Sequence, residues 1–384
     1  MSDNSRPLLL RRVDTFVLRA PVTVPVRTSF GVMHDRPALI VRIEDAEGVH
    51  GWGEVWCNFP ACGAEHRAQL IDTVFAPRLL GRRFDSPGDA TASLLRDTHT
   101  LRLQTREDGP FDQVVAGLDI ALWDLTARRD DQPLYRVLGG EEAATVPVYA
   151  SGINPQDAGE SIERSRAGGH KSFKVKIGFR PQQDQFTLTR LSAMLQDGEQ
   201  LMADANQAWT LDAALAWVKQ LRPYALRWLE EPMAVDTPFA DWQRLAAASP
   251  VPLAGGENFA SIKAFRTALK HGVLDVLQPD VCKWGGVSQV LPVARHVLAG
   301  GRRYCPHYLG GGIGLIASAH CLAAVGGDGL LEMDVNVNPL RELLAQPFPS
   351  VINGMLALPC GAGLGVEPDR EAIKRYLVLH REQA

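Results

Sequence analysis

A series of charged side chains, each closing a short apolar run, constrains this chain more than any other feature. Lys174 and Lys176, Asp204, Glu230, Glu257, Asp280, His307 and Glu332 recur at intervals of roughly 23 to 30 residues, about one strand plus one helix. Taking an ionised group out of water is costly, so a charge at the end of strand after strand marks a site. The pattern reads as parallel strands closed into a barrel, with its polar residues gathered at one rim.

The runs themselves span residues 146–150, 172–177, 201–204, 226–230, 252–257, 276–280, 303–307 and 330–333, and helical stretches such as 211–221 and 262–271 fill the gaps. An open doubly wound sheet is the competing architecture. It wants a glycine-rich nucleotide turn after an early strand, and none follows here. Before Thr145 the rhythm differs. Residues 13–18, 38–44 and 50–55 read as antiparallel strands, and 66–80, 87–98 and 111–129 as helices, the last with a broad apolar face. These patterns predict an α+β domain over 1–140 and a barrel over 141–352. The connection 21–37, which carries Arg27, Thr28, Phe30, His34 and Arg36, is expected to be a lid.

A length of 384 residues holds one barrel and one smaller domain. Net charge −4, with Arg scattered among Asp and Glu, argues against a nucleic-acid partner. The apolar run 8–10 is too short for a signal segment, and no stretch has the length of a membrane span. Six cysteines without a C-x-x-C pair read as reduced thiols. A cytoplasmic protein with no membrane partner is expected.

Lys174 and Lys176 are two apart on a strand and share a face. Two ammonium groups held close lower each other's pKa, which makes a base near neutral pH; the alternative is a pair of lysines reaching solvent from a strand end. Asp204, Glu230 and Glu257 come from consecutive strands and form a hard oxygen set suited to Mg²⁺, whereas zinc would recruit His or Cys. Adjacent strand residues point oppositely, so one of Glu230 and Glu231 faces the site, and the sequence leaves open which. Asp280 and His307 close neighbouring strands and suit a carboxylate–imidazole dyad. Glu332 is either a hydrogen-bonding group at the substrate or a surface carboxylate. Trp56 and Asn58 follow Glu54 on a loop within reach of the mouth, or else sit at the domain interface. The glycines of 310–314 suggest a phosphate loop, with close packing or anion capture at a helix N-terminus fitting equally well.

The residues Lys174-Val-Lys176, Asp204-Ala-Asn206-Gln207, Trp228-Leu-Glu230-Glu231-Pro232, Gly256-Glu257-Asn258, Gln278-Pro-Asp280 with Gly285-Gly286, Pro306-His307 and Glu332 resemble the enolase superfamily, mandelate racemase subgroup. Asp119-Ile-Ala-Leu-Trp123-Asp124 resembles the family's helix in the first domain. The resemblance implies a modified (β/α)7β barrel, class α/β, with an N-terminal α+β cap to which residues 353–384 return. It implies Mg²⁺ on Asp204, Glu230 and Glu257. Lys176 would be a base aided by Lys174, and His307 paired with Asp280 would act on the opposite face. Glu332 would hydrogen-bond a carboxylate becoming an enediolate. Relatives are usually symmetric assemblies, so a homo-oligomer is expected. Arg27, His34, Trp56 and Asn206 are candidate substrate-binding residues, and the polar lid favours a polyhydroxy acid. A small carboxylate substrate is implied, with sugar-acid dehydration favoured over lactone cycloisomerisation and hydroxyacid racemisation. A catalytically silent acid-binding barrel is the alternative of another class.

Overall fold

The computed structural model describes residues 7–27, 31–141 and 145–384, with the side chains of Val24 and Arg27 outside that description. β1 (Leu8–Arg27), β2 (Val32–Asp45) and β3 (His50–Val55) form an antiparallel sheet, and β4 (Arg83–Phe84) pairs with the start of β1. One face of the sheet lies on the helix Asp108–Arg129. The approach is close because glycines face it: a Cβ at Gly53 would stand 2.0 Å from the Gly117 carbonyl oxygen.

The connection expected to be a lid is largely a continuation of the β1–β2 hairpin. Pro21 pairs with Asp35 and Val26 with Met33, across an irregularity between Pro21 and Val26. Thr28 and Phe30 lie outside the described residues. Pro21 and Pro25 are tolerated because β1 beyond Leu18 pairs on one side only, so a missing N–H disrupts no second ladder.

β5 (Thr145–Ile153), β6 (Ser172–Lys176), β7 (Gln200–Asp204), β8 (Leu229–Glu230), β9 (Leu253–Gly255), β10 (Val276–Leu277), β11 (Arg303–Tyr304) and β12 (Leu331–Asp334) follow in chain order around a parallel sheet. β12 pairs with β5, and the Glu332 amide donates to the Pro306 carbonyl at 3.3 Å, which closes the barrel. Seven α-helices lie between these eight strands. Several strands end earlier than their apolar runs, so Glu257, Asp280 and His307 sit on the segments just past the last paired residue. Tyr149, Met202, Trp228, Ala254, Val276 and Cys305 fill the barrel interior.

After the barrel, β13 (Val351–Ile352) and β14 (Met355–Ala357) form a hairpin, and β14 pairs antiparallel with β5. The chain then crosses to the cap. The Leu364 amide donates to Asp124, Glu367 accepts from the Trp52 indole, and β15 (Leu377–Gln383) pairs with β1. Among the described residues no helix is long and apolar enough to cross a membrane. All six cysteines are free thiols.

Candidate active site

Strand register assembles the first row of the site. Lys176 pairs with Asp204 and Asp204 with Glu230 across β6, β7 and β8. Lys174 and Lys176 share the inner face, while Phe173 and Val175 are buried on the other. Both lysines line one cavity with Asp204, Glu257, His307 and Glu332.

Glu230 lies beneath this cavity. Its Oε1 receives the Lys174 ammonium at 2.5 Å, and its Oε2 receives the Gln278 amide at 2.6 Å and the Trp228 indole at 3.1 Å. Glu231, with φ +39°, turns the other way to Asn258 at 2.8 Å and Gln207 at 3.0 Å. The pair therefore diverges, and Glu230 is the member on the inner side.

The electrostatics of Lys174 depart from the sequence expectation. Its ammonium is 2.5 Å from Glu230, 2.7 Å from Glu332 and 3.9 Å from Asp204. Burial works against the charge, yet Glu230 and Glu332 hold its pKa well above the ordinary lysine value. Carboxylates dominate its environment, so the expected lowering of Lys174 by a neighbouring ammonium does not describe it.

The carboxylates are crowded in turn. Burial pushes Glu230 up to about 7 against the pull of Lys174, and raises Asp204. Burial and neighbouring Glu257 push Glu231 up to about 8. Burial disfavours the ionised form of these acids, a penalty that a bound cation would offset, and the donor set is all oxygen, which fits a hard divalent cation. One oxygen each from Asp204, Glu230 and Glu257 do not all lie within 4.8 Å of one another; the described set that meets this spacing is Asp14, His380 and Glu382, where Asp14 already pairs with Arg12 at 2.9 Å. The oxygens of Glu230 and Glu257 are instead taken by Lys174 and by the His307 ring.

His307 and Asp280 meet as expected, with Nδ1 2.8 Å from Oδ2. The Cys282 and Lys283 amides hold the other Asp280 oxygen at 2.8 and 3.1 Å. Burial disfavours the imidazolium, but Glu257 and Glu332 raise its pKa well above the usual histidine value. Glu332 is 3% exposed and accepts from Ser151, Lys174 and the Tyr308 amide, so it is not a surface carboxylate.

The expected substrate residues fare unevenly. Trp56 and Asn206 line the cavity. Asn206 also binds Asp204 through its backbone and side-chain nitrogens, both at 2.8 Å. His34 is exposed on β2, within the irregular part of the β1–β2 pairing, and does not line the cavity. Arg36 points inward and pairs with Asp334 at 2.6 Å, which ties the hairpin to β12. Arg27 ends β1, and its side chain is outside the description.

Sequence reasoning passed over Lys283 and Ser151, and gave Gln278 no role of its own. Lys283 reaches the cavity with its ammonium 2.8 Å from Asn258 Oδ1 and 5.3 Å from the centre of the Trp56 ring. Gln278, two residues before Asp280 on an inward face, was detectable from strand period. Lys283 follows a turn and carries no such signal.

Comparison with known proteins agrees with this geometry. The model for the mandelate racemase / muconate lactonizing enzyme N-terminal domain matches residues 12–139, and the enolase C-terminal domain-like model matches 157–372. The chain is 29% identical to D-galactarolactone cycloisomerase of Agrobacterium fabrum, over 95% of this chain and 97% of that one. It is 27% identical to arabinonate dehydratase of Saccharolobus solfataricus, over 86% and 88%. A crystal structure of a mandelate racemase/muconate lactonizing enzyme from Bordetella bronchiseptica superposes with TM-score 0.90 at 50% identity, covering 96% of this chain and 99% of that one. A racemase of Streptomyces coelicolor with bound magnesium gives TM-score 0.86 at 29% identity, covering 96% and 100%. With both domains matched and the strand-end residues gathered at one rim, this chain belongs to the mandelate racemase/muconate lactonizing enzyme family of the enolase superfamily.

Proposed function

We propose that this enzyme removes the proton α to the carboxylate of a sugar acid, passes through an enediolate, and completes a dehydration. One observation carries the reading: His307, held from behind by Asp280, and the two lysines of β6 open onto the same cavity, on segments well separated around the barrel. A magnesium ion held by Asp204, Glu230 and Glu257 would supply positive charge to the substrate carboxylate as a second negative charge develops there.

The chain's own residues do the rest. Lys176 takes the α-proton from one face, while Lys174, fixed by Glu230 and Glu332, holds positive charge at the carboxylate end. Asp280 accepts the Nδ1 proton of His307 and so fixes the ring, which leaves Nε2 to carry a proton. Nε2 now sits on Glu257 and must leave it to reach a substrate. In dehydration His307 protonates the β-hydroxyl as the C–O bond breaks, water departs, and the resulting enol becomes a 2-keto-3-deoxy acid. Arg36, buried against Asp334, does not contribute to substrate polarity.

Cycloisomerisation of a sugar lactone is the second reading, favoured by the 29% identity to a galactarolactone cycloisomerase over 95% of the chain. The test is proton NMR in D₂O with Mg²⁺ across aldonic acids, aldaric acids and their lactones. Loss of the α-proton with a deoxy product is expected. Ring rearrangement without dehydration would replace the first reading with the second, and ligand binding without α-exchange would leave only the acid-binding alternative.

A further inference from the structure

The cap touches the barrel's functional rim through a group that the chemistry above does not use. Glu54, near the end of β3, is 3% exposed. Its carboxylate accepts the Gly311 amide at 2.5 Å and the Gly314 amide at 2.9 Å, at the N-terminus of the 14-residue helix Gly312–Val325. The Tyr308 phenol lies beside it and donates to the Gly311 carbonyl at 2.8 Å. A helix N-terminus carries free N–H groups and positive potential, so it attracts an anion. Here the anion is a side chain of the cap. Among the glycines that suggested a phosphate loop, Gly311 is small for this reason, since a Cβ there would lie 2.7 Å from a Glu54 oxygen, whereas Gly312 and Gly314 are crowded by the Arg341 carbonyl and the Tyr308 ring.

The same segment carries one half of the candidate site. It begins at His307, the Tyr308 amide donates to Glu332 at 3.3 Å, and Leu309 lines the cavity. The Leu309 carbonyl accepts from Asn58 of the cap at 2.7 Å, and the Gly310 carbonyl accepts from Asn338 at 2.8 Å. Displacement of this backbone would move His307 and withdraw the Tyr308 amide from Glu332, which β12 and its bonds to Ser151 and Lys174 keep in place. Lys176 stands on a different strand, paired with β7, and would be spared.

We infer that Glu54 is a positioning residue for the His307 half of the site, holding residues 308–314 against the cap by filling the helix N-terminus with its own carboxylate. The inference rests on reading His307 as a proton carrier. In Glu54→Ala, proton exchange on the His307 face should fall on the order of 10²-fold, the scale of a small misplacement, while exchange on the Lys176 face falls far less. Formate supplies the missing carboxylate. It should restore part of the His307-side rate and raise the melting temperature of Glu54→Ala, with no such rise in the unchanged protein or with chloride at equal concentration.

Equal loss on both faces, or a melting temperature indifferent to formate, overturns the inference. Should Glu54→Ala fail to fold, Glu54→Gln keeps the size and removes the charge, and Gly311→Ala crowds the carboxylate; full His307-side activity in both would likewise overturn it. The melting-temperature arm needs no substrate. If the unchanged protein turns over no acid, that arm still decides whether Glu54 acts as the anion, and the α-proton reading fails separately.

Discussion

At the scale of single residues, Lys176 and His307 are the groups whose removal divides the chemistry. A positioned acid or base contributes about 10²–10⁴-fold. Lys176→Ala and His307→Asn are each expected to lose that much of the α-exchange on one face and to retain the other, read by deuterium incorporation into substrates of opposite configuration. Full activity in both variants would sink the two-base reading. The dyad was legible because Asp280 and His307 end neighbouring strands, a relation that spacing alone conveys. The surroundings of Lys174 were not legible. Its partners Glu230 and Glu332 lie far away in sequence, and only barrel closure brings them within 2.7 Å.

Between elements, two buried aspartates on the helix Asp108–Arg129 join the parts of the molecule. Asp119 accepts from Thr91 and from the Ser288 hydroxyl, each at 2.5 Å, and from the Ser288 amide at 2.9 Å, which fixes the cap helix to the barrel helix Gly286–Ala299. Gly286, with φ +56°, is needed there, since its Cβ would fall 2.4 Å from an Asp119 oxygen. Asp124 accepts from the Trp52 amide at 2.7 Å and the Leu364 amide at 2.6 Å, and so joins β3 to the returning C-terminal segment. Asp119→Ala strips several buried donors of their acceptor and should cost about 2–4 kcal/mol, measured by urea unfolding. A loss below the scatter of that method would show that water replaces the carboxylate. Periodicity alone marks these positions as polar intrusions on an apolar helix; the partners that explain them belong to other elements.

Across the whole molecule, stability should respond to metal and to pH. Magnesium that binds the folded state alone raises the melting temperature with concentration, by mass action. The rise is expected in the unchanged protein and should vanish in Asp204→Ala; an equal rise in both would place the ion elsewhere. The pH response involves His320, fully buried where the helix Gly312–Val325 meets the C-terminal segment. Its Nδ1 accepts the Tyr135 amide at 3.1 Å and its Nε2–H donates to the Leu364 carbonyl at 3.2 Å, so the neutral ring uses both nitrogens. Burial lowers its pKa from 6.5 to about 4. The unfolded chain therefore takes up this proton first as the pH drops. Stability from this group is complete above pH 6.5 and declines toward pH 4, by about 3 kcal/mol in all. Urea unfolding at pH 7.5 and 4.5 should show that slope, and His320→Gln should flatten it.

The sequence by itself determined the barrel, its strand order and most of the residues at its rim. Strand period and the cost of buried charge are local properties, readable wherever an apolar run ends in an acid or a base. Tertiary structure decided what those residues face. It turned Glu230 inward and Glu231 away, converted an expected lid into a hairpin tied down by Arg36 and Asp334, and set Lys283 at the mouth. It also filled the glycine-rich helix start with Glu54. Each of these outcomes pairs groups distant along the chain, and a charge or a donor acquires its meaning only from the partner that the closed fold places beside it.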